Sequence, residues 1–137
     1  NIIDWINIED GKYFMISPIL SNIKRALGKG IAIIAIQKEE GTTYGRGRSM
    51  TKDFTDLELR IDQFGDTTDT LLTIGKCKES TKPVTGRTFR FMIGNGVEIL
   101  KFREVRKCGT CYGKGWRKQG NSSVPCENCQ KTGYVDK

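Results

Sequence analysis

The 137-residue chain has no histidine, only three prolines, and no apolar run longer than the six residues 31–36 (IAIIAI). The missing histidine removes Ser-His-Asp and Cys-His catalysis, imidazole acid–base work and every metal site that uses imidazole. Any enzyme built on this chain must work with carboxylates, lysines, thiols or a bound nucleotide. Short apolar runs exclude a membrane-spanning helix. With 36% apolar and 28% charged residues, the composition is that of a folded globular domain rather than a fibrous or disordered chain. A basic leader with a cleavage site is also lacking, and Asn1 opens directly into Ile2-Ile3-Asp4-Trp5-Ile6. We therefore expect a cut chain from a cytoplasmic protein, with no membrane partner.

What is present is basic charge and cysteine. The formal charge is +7, and its distribution is uneven. From Lys101 to Lys137 nine basic residues face Glu104, Glu127 and Asp136, which leaves +6 there and +1 in residues 1–100. Such an excess suits a polyanionic partner, and it equally suits a solvated basic surface. Four of the five cysteines form two C-x-x-C pairs, Cys108–Cys111 and Cys126–Cys129, with fourteen residues between them and glycines after each. That spacing lets two thiolates of each pair reach one tetrahedral ion, so it predicts a structural Zn2+ site in a reducing compartment rather than disulfides. Protein supplies all four ligands, leaving no position for a reacting water. One zinc bound by four thiolates carries −2, which lowers the chain from +7 to +5.

Along the chain, residues 2–8 read as a buried strand. Ser17 and Pro18 then open a helix whose Ile19, Leu20, Ile23, Ala26 and Leu27 recur at helical spacing until Gly28 and Gly30 stop it. The run 31–36 predicts a strand covered on both sheet faces, completing a βαβ unit with two parallel strands. Residues 38–52 (KEEGTTYGRGRSMTK) have no periodicity and read as a mobile surface loop. Strands follow at 57–61 and 71–74, and a hairpin joins 88–93 to 97–101 through Gly94-Asn95-Gly96. No internal repeat stands out. The expected class is α/β, with a partial sheet that becomes β-rich, and two domains, 1–103 and 104–137.

The words CYGKGW and CxxCxxTGYV resemble half of the zinc-binding, glycine-rich region of J-protein chaperones, over about thirty residues. Those chaperones carry more such motifs, so client binding does not transfer with the likeness. Trp116 and Tyr134 either stack on bases beside Arg117 and Lys118 or pack over the knuckles as a miniature core.

The order of features in residues 1–100 resembles the C-terminal half of a RecA-like ATPase core, in its replicative-helicase and circadian-ATPase branch. The likeness implies that Asp4, at a strand end, orients the water shell of a nucleotide-bound Mg2+, and that Gln37 is the polar sensor ending the next strand. Read alone, Asp4 is a strand-end cap and Gln37 a first exposed residue. Relatives have a DNA-contacting loop where this chain has Tyr44, Arg46, Arg48 and Lys52. They end a later strand in two basic residues that reach a neighbouring subunit's nucleotide, and Lys76 and Lys78 match those positions; relatives often have arginine at the second. Cys77 between them reads as a small strand residue. The likeness implies single-stranded DNA as partner and a ring or filament as assembly. No G-x-x-x-x-G-K-[ST] phosphate loop occurs among the 137 residues, so the chain by itself should not hydrolyse ATP. The competing expectations are a non-enzymatic, zinc-stabilised nucleic-acid-binding module and a protein-interaction adaptor.

Overall fold

The computed structural model describes residues 1–4, 6, 11–38, 42, 44–47, 49–65 and 67–137. Trp5 and Ile8 of the expected first strand, and Arg48 of the expected DNA loop, lie outside the described residues. The chain opens with strand β1 (Ile2–Ile3), a single 3-10 turn (Tyr13–Met15), helix α1 (Ile16–Leu27) and strand β2 (Ile33–Ile34). β1 and β2 pair in parallel, Ile2 opposite Ile33 and Ile3 opposite Ile34, so the strand–helix–strand order gives the expected βαβ unit. Its strands are shorter than their apolar runs, although backbone bonds from Ala35 to Ile3 (3.1 Å) and from Ile6 to Ala35 (3.3 Å) carry the pairing further.

Two expectations about this unit need correction. Ser17 does not cap α1, which begins at Ile16 behind Met15 with no side-chain cap. The preceding 3-10 turn does that work: the Ile16 amide donates to the Tyr13 carbonyl. Nor is the sheet covered twice. Ile16, Leu20 and Ile6 form a core joined by Ile3, Ile34 and Ile36, whereas Ile2 (79% exposed), Ile31 (79%) and Ile33 (66%) line a bare face. α1 covers one side, and none of the described residues covers the other.

The segment expected to be a mobile loop is folded where it is described. Arg46 N–H donates to the Gln37 carbonyl at 2.8 Å, and Lys38 bridges Gly45. Helix α2 (Met50–Phe54) follows, its two apolar ends four residues apart and both packed against the Ile16–Leu20 core. Gly47, at φ +108, is required by this docking, because a Cβ there would lie 2.7 Å from the Ile16 side chain.

Strands β3 (Leu57–Gln63), β4 (Thr70–Cys77), β5 (Thr88–Gly94), β6 (Glu98–Lys107) and, after the cysteine-rich segment, β9 (Tyr134–Asp136) form a five-stranded sheet in the order β3-β4-β5-β6-β9. A separate antiparallel ribbon pairs β7 (Trp116–Gln119) with β8 (Ser122–Pro125). The hairpin expected at Gly94-Asn95-Gly96 is there: Gly94 pairs with Glu98, and Asn95 and Gly96 both have positive φ. On one sheet face Phe64, Leu71 and Val105 pack with Tyr134. The Arg90 guanidinium lies 4.3 Å over the Phe64 ring and pairs with buried Asp69. On the other face Phe89 stacks on Phe102 at 5.1 Å. The fold is thus a mixture of helix and mostly β structure. It divides into two units, Asn1–Glu58 and Leu59–Lys137. The expected boundary at 103/104 falls inside β6, because β9 returns from the cysteine-rich segment to pair with that strand, Val105 opposite Asp136 and Lys107 opposite Tyr134. Among the described residues no helix is long and apolar enough to cross a membrane.

Candidate metal centre

All four cysteines of the two C-x-x-C pairs are buried, and their sulfurs lie within 4.8 Å of one another. Cys108 and Cys126 sulfurs are 3.9 Å apart, those of Cys111 and Cys129 3.6 Å. Those separations are too long for a disulfide bond of about 2.05 Å. They bracket the edge of about 3.8 Å expected for four sulfurs held about 2.3 Å from one central ion in a tetrahedron. The donor set therefore fits a metal ion held by thiolates alone.

The local sequence explains how the sulfurs converge. Residues 108–115 and 126–133 share the pattern C-x-x-C-x-x-x-G, eighteen residues apart, and the backbone obeys the same two-fold relation. Gly115 N–H donates to Cys111 Sγ, and Gly133 N–H to Cys129 Sγ, both at 3.3 Å. Cys108 N–H donates to the Gly133 carbonyl, and Cys126 N–H to the Gly115 carbonyl, both at 2.8 Å. Positive φ recurs at Tyr112 and Gln130, Gly113 and Lys131, Gly115 and Gly133. The expectation of no internal repeat is therefore corrected. The repeat lies in backbone conformation and only four side chains, too sparse for a search for similar residues. Sequence reasoning also missed Asn128, whose amide donates to Cys108 Sγ at 3.3 Å and to Thr110 Oγ1 at 3.2 Å; nothing in its spacing marks it.

Sulfurs this close hold their protons unequally. Burial pushes the Cys129 thiol well up. At Cys108 burial also opposes ionisation, yet the Asn128 amide and nearby backbone amides outweigh it and draw that thiol below the ordinary range. A bound cation removes the conflict, since the thiolate is the liganding form.

The remaining expected site residues fall into three groups. Asp4 directly follows β1, between Ile3 and Ile6, which both bond Ala35, and Gln37 lies three residues past β2; both are exposed. Tyr44, Arg46 and Lys52 are half-buried, with Lys52 Nζ 6.0 Å from the centre of the Tyr44 ring. Gly45 and Gly47 of the same segment pack on Ile36 and Ile16. Lys76 lies in β4, and Lys78 lies just beyond its end in a bend, exposed. Cys77 donates to the Glu79 carbonyl at 3.4 Å. Of the two aromatics near the knuckles, Tyr134 packs on Phe64 at 6.0 Å, whereas Trp116 stays exposed with Lys131 over its ring. Arg117 and Lys118 are exposed on β7. No protein-family model, no curated protein and no solved structure matches the chain.

Proposed function

We propose that this chain is the C-terminal part of a DNA-dependent, RecA-like ATPase of the helicase or recombinase type, working in the cytoplasm and stapled by one structural Zn2+. The observation that supports it most is the parallel β1–β2 pair, with exposed Asp4 directly after β1 and exposed Gln37 three residues past β2. In open parallel sheets, ligands sit beyond the carboxyl ends of the strands. There the Asp4 carboxylate orients the water shell of a Mg2+ carried by ATP. Gln37 reads the nucleotide and passes its state onward, since its carbonyl holds the Arg46 amide at the start of the Tyr44–Lys52 segment. Tyr44, Arg46, Arg48 and Lys52 contact single-stranded DNA. Lys76 and Lys78 act on the nucleotide of a neighbouring copy, which makes the working assembly a ring or filament.

In this reading Cys108, Cys111, Cys126 and Cys129 hold the zinc, whose closed four-sulfur shell supplies folding energy and no chemistry. The bare apolar face at Ile2, Ile31 and Ile33 is where a phosphate-loop segment packs.

The test is DNA-stimulated ATP turnover by a polypeptide that joins these residues to a phosphate-loop segment from the same gene. Asp4→Asn and Lys76→Ala should each lower turnover by roughly a hundredfold or more, the scale of lost transition-state charge stabilisation in phosphoryl transfer. Unchanged turnover in both sinks the proposal. One observation favours a second reading, a non-enzymatic nucleic-acid-binding module: the 137 residues contain no phosphate loop. That reading gives Asp4, Gln37, Lys76 and Lys78 no role.

A further inference from the structure

The eighteen-residue repeat relates more than ligands. It also sets Trp116 against Tyr134 and Gly113 against Lys131. At both positions the two-fold relation is broken in a way the metal does not need. Tyr134 is half-buried, its ring against Phe64. Trp116 is 44% exposed, and its ring is met by Lys131 Nζ at 5.5 Å. Lys131 is held at φ +68, where its mate Gly113 has φ +85. A lysine in the left-handed region is strained where glycine is not, and such strain concentrates at binding sites.

The surroundings say what such a ring would meet. Lys118 lies two positions from Trp116 on β7, hence on the same side of the β7–β8 ribbon, while Arg117 faces the opposite side. Tyr112, directly after a ligand cysteine, is 80% exposed. Between residues 105 and 135 the basic residues are Arg106, Lys107, Lys114, Arg117, Lys118 and Lys131, and the sole acid is Glu127. An apolar peptide would ask for an apolar groove; an aromatic face flanked by ammonium groups asks for a base and its phosphates.

We infer that the metal knuckle is itself a binding platform for single-stranded nucleic acid, with a base stacked on Trp116, phosphates on Lys131 and Lys118, and Tyr112 as a second stacking ring. The inference stands apart from the ATPase reading and holds equally for a non-enzymatic module. Its readout involves no nucleotide turnover, so either reading can fail without the other.

Trp5 and Trp116 are the two tryptophans, so Trp5→Phe in the full zinc-loaded chain leaves Trp116 as sole reporter. Titration with an oligothymidylate of about twenty nucleotides should quench it, with an affinity that falls as salt rises. Trp116→Ala, followed by anisotropy of a labelled oligonucleotide, should weaken binding roughly tenfold, the scale of one lost base–aromatic stack. Lys131→Gly relieves the strained backbone, and Lys131→Gln removes the charge while keeping a polar side chain. Both should weaken binding about threefold to tenfold and lower the salt slope by about one. Lys118→Ala should behave likewise, and Arg117→Ala should change little. Binding untouched by Trp116→Ala and both Lys131 variants overturns the platform. So does heparin competing as well as the oligonucleotide at equal charge, which would leave charge alone. Trp116 quenching by an unfolded, reduced polypeptide at moderate salt would instead make the surface a client site and overturn the inference as well.

Discussion

Gly115 and Gly133 carry a requirement that no residue with a side chain meets. Each has positive φ, and each presses its α-carbon against the other knuckle: a Cβ on Gly115 would lie 2.1 Å from the Lys131 carbonyl oxygen, one on Gly133 2.4 Å from that of Gly113. Those obstacles are backbone, so they cannot swing away. Each glycine also donates the amide that braces a ligand sulfur. Alanine at either position should therefore cost about 3 kcal/mol or more, combining left-handed strain with displacement of the opposite knuckle. Gly109 has no positive φ and open space beside it, and Gly109→Ala should stay within about 0.5 kcal/mol of the parent. Denaturant titration of the zinc-loaded variants measures all three. Equal stability of Gly115→Ala and Gly109→Ala would refute the close approach.

Among the elements, those whose signal is local were legible in the sequence, and those that depend on distant partners were not. The cysteine spacing marked the knuckles, helical recurrence from Ile19 to Leu27 marked α1, and Gly94-Asn95-Gly96 marked the β5–β6 hairpin. α2 was hidden because Met50 and Phe54 alone carry its apolar side, and their partner, the Ile16–Leu20 core, lies far back in sequence. The far half of β6 was hidden because Arg103, Glu104, Arg106 and Lys107 look like a solvated tail until β5 pairs with the first two and β9 with the last two. Glu104 then becomes the clasp of three chain segments. Arg87, just before β5, grips it in a fork at 3.1 and 2.7 Å, and Lys137, just after β9, reaches it at 2.7 Å. The hydrogen bonds from Arg87 and then Lys137 lower the Glu104 carboxyl from 4.5 to about 2. A carboxyl lowered on folding contributes stability that is complete above its unfolded value and lost as pH falls toward its folded one. The melting-temperature gap between the parent and Glu104→Gln should therefore hold constant from neutral pH to about 5, then narrow as pH falls through 4.5 toward 2. A gap indifferent to pH would remove the clasp.

At the scale of the whole molecule, each of the two units has buried clusters of its own. Ile6, Ile16, Leu20 and the described hydrophobic residues packed on them lie in Asn1–Glu58, while the cysteine cluster and the Phe64–Leu71–Val105 cluster lie in Leu59–Lys137. Among the described residues the cysteine cluster has only Val135 packed against it, too little apolar burial to order some thirty residues without an ion. Chelation should accordingly unfold the knuckles. β9 should follow, because Gly133 and Tyr134 are fixed by the second knuckle, and with it the Tyr134 ring that closes the core over Phe64. Hydrogen exchange followed by residue should then show protection lost from Cys108 to Asp136 and weakened in β6, with the amides of α1 unchanged. Re-addition of zinc should restore it at one ion per chain. Loss of α1 protection on chelation would mean that the metal organises the whole chain, and an unchanged exchange pattern at Cys108–Gly133 would mean that the four buried sulfurs hold their places without any ion.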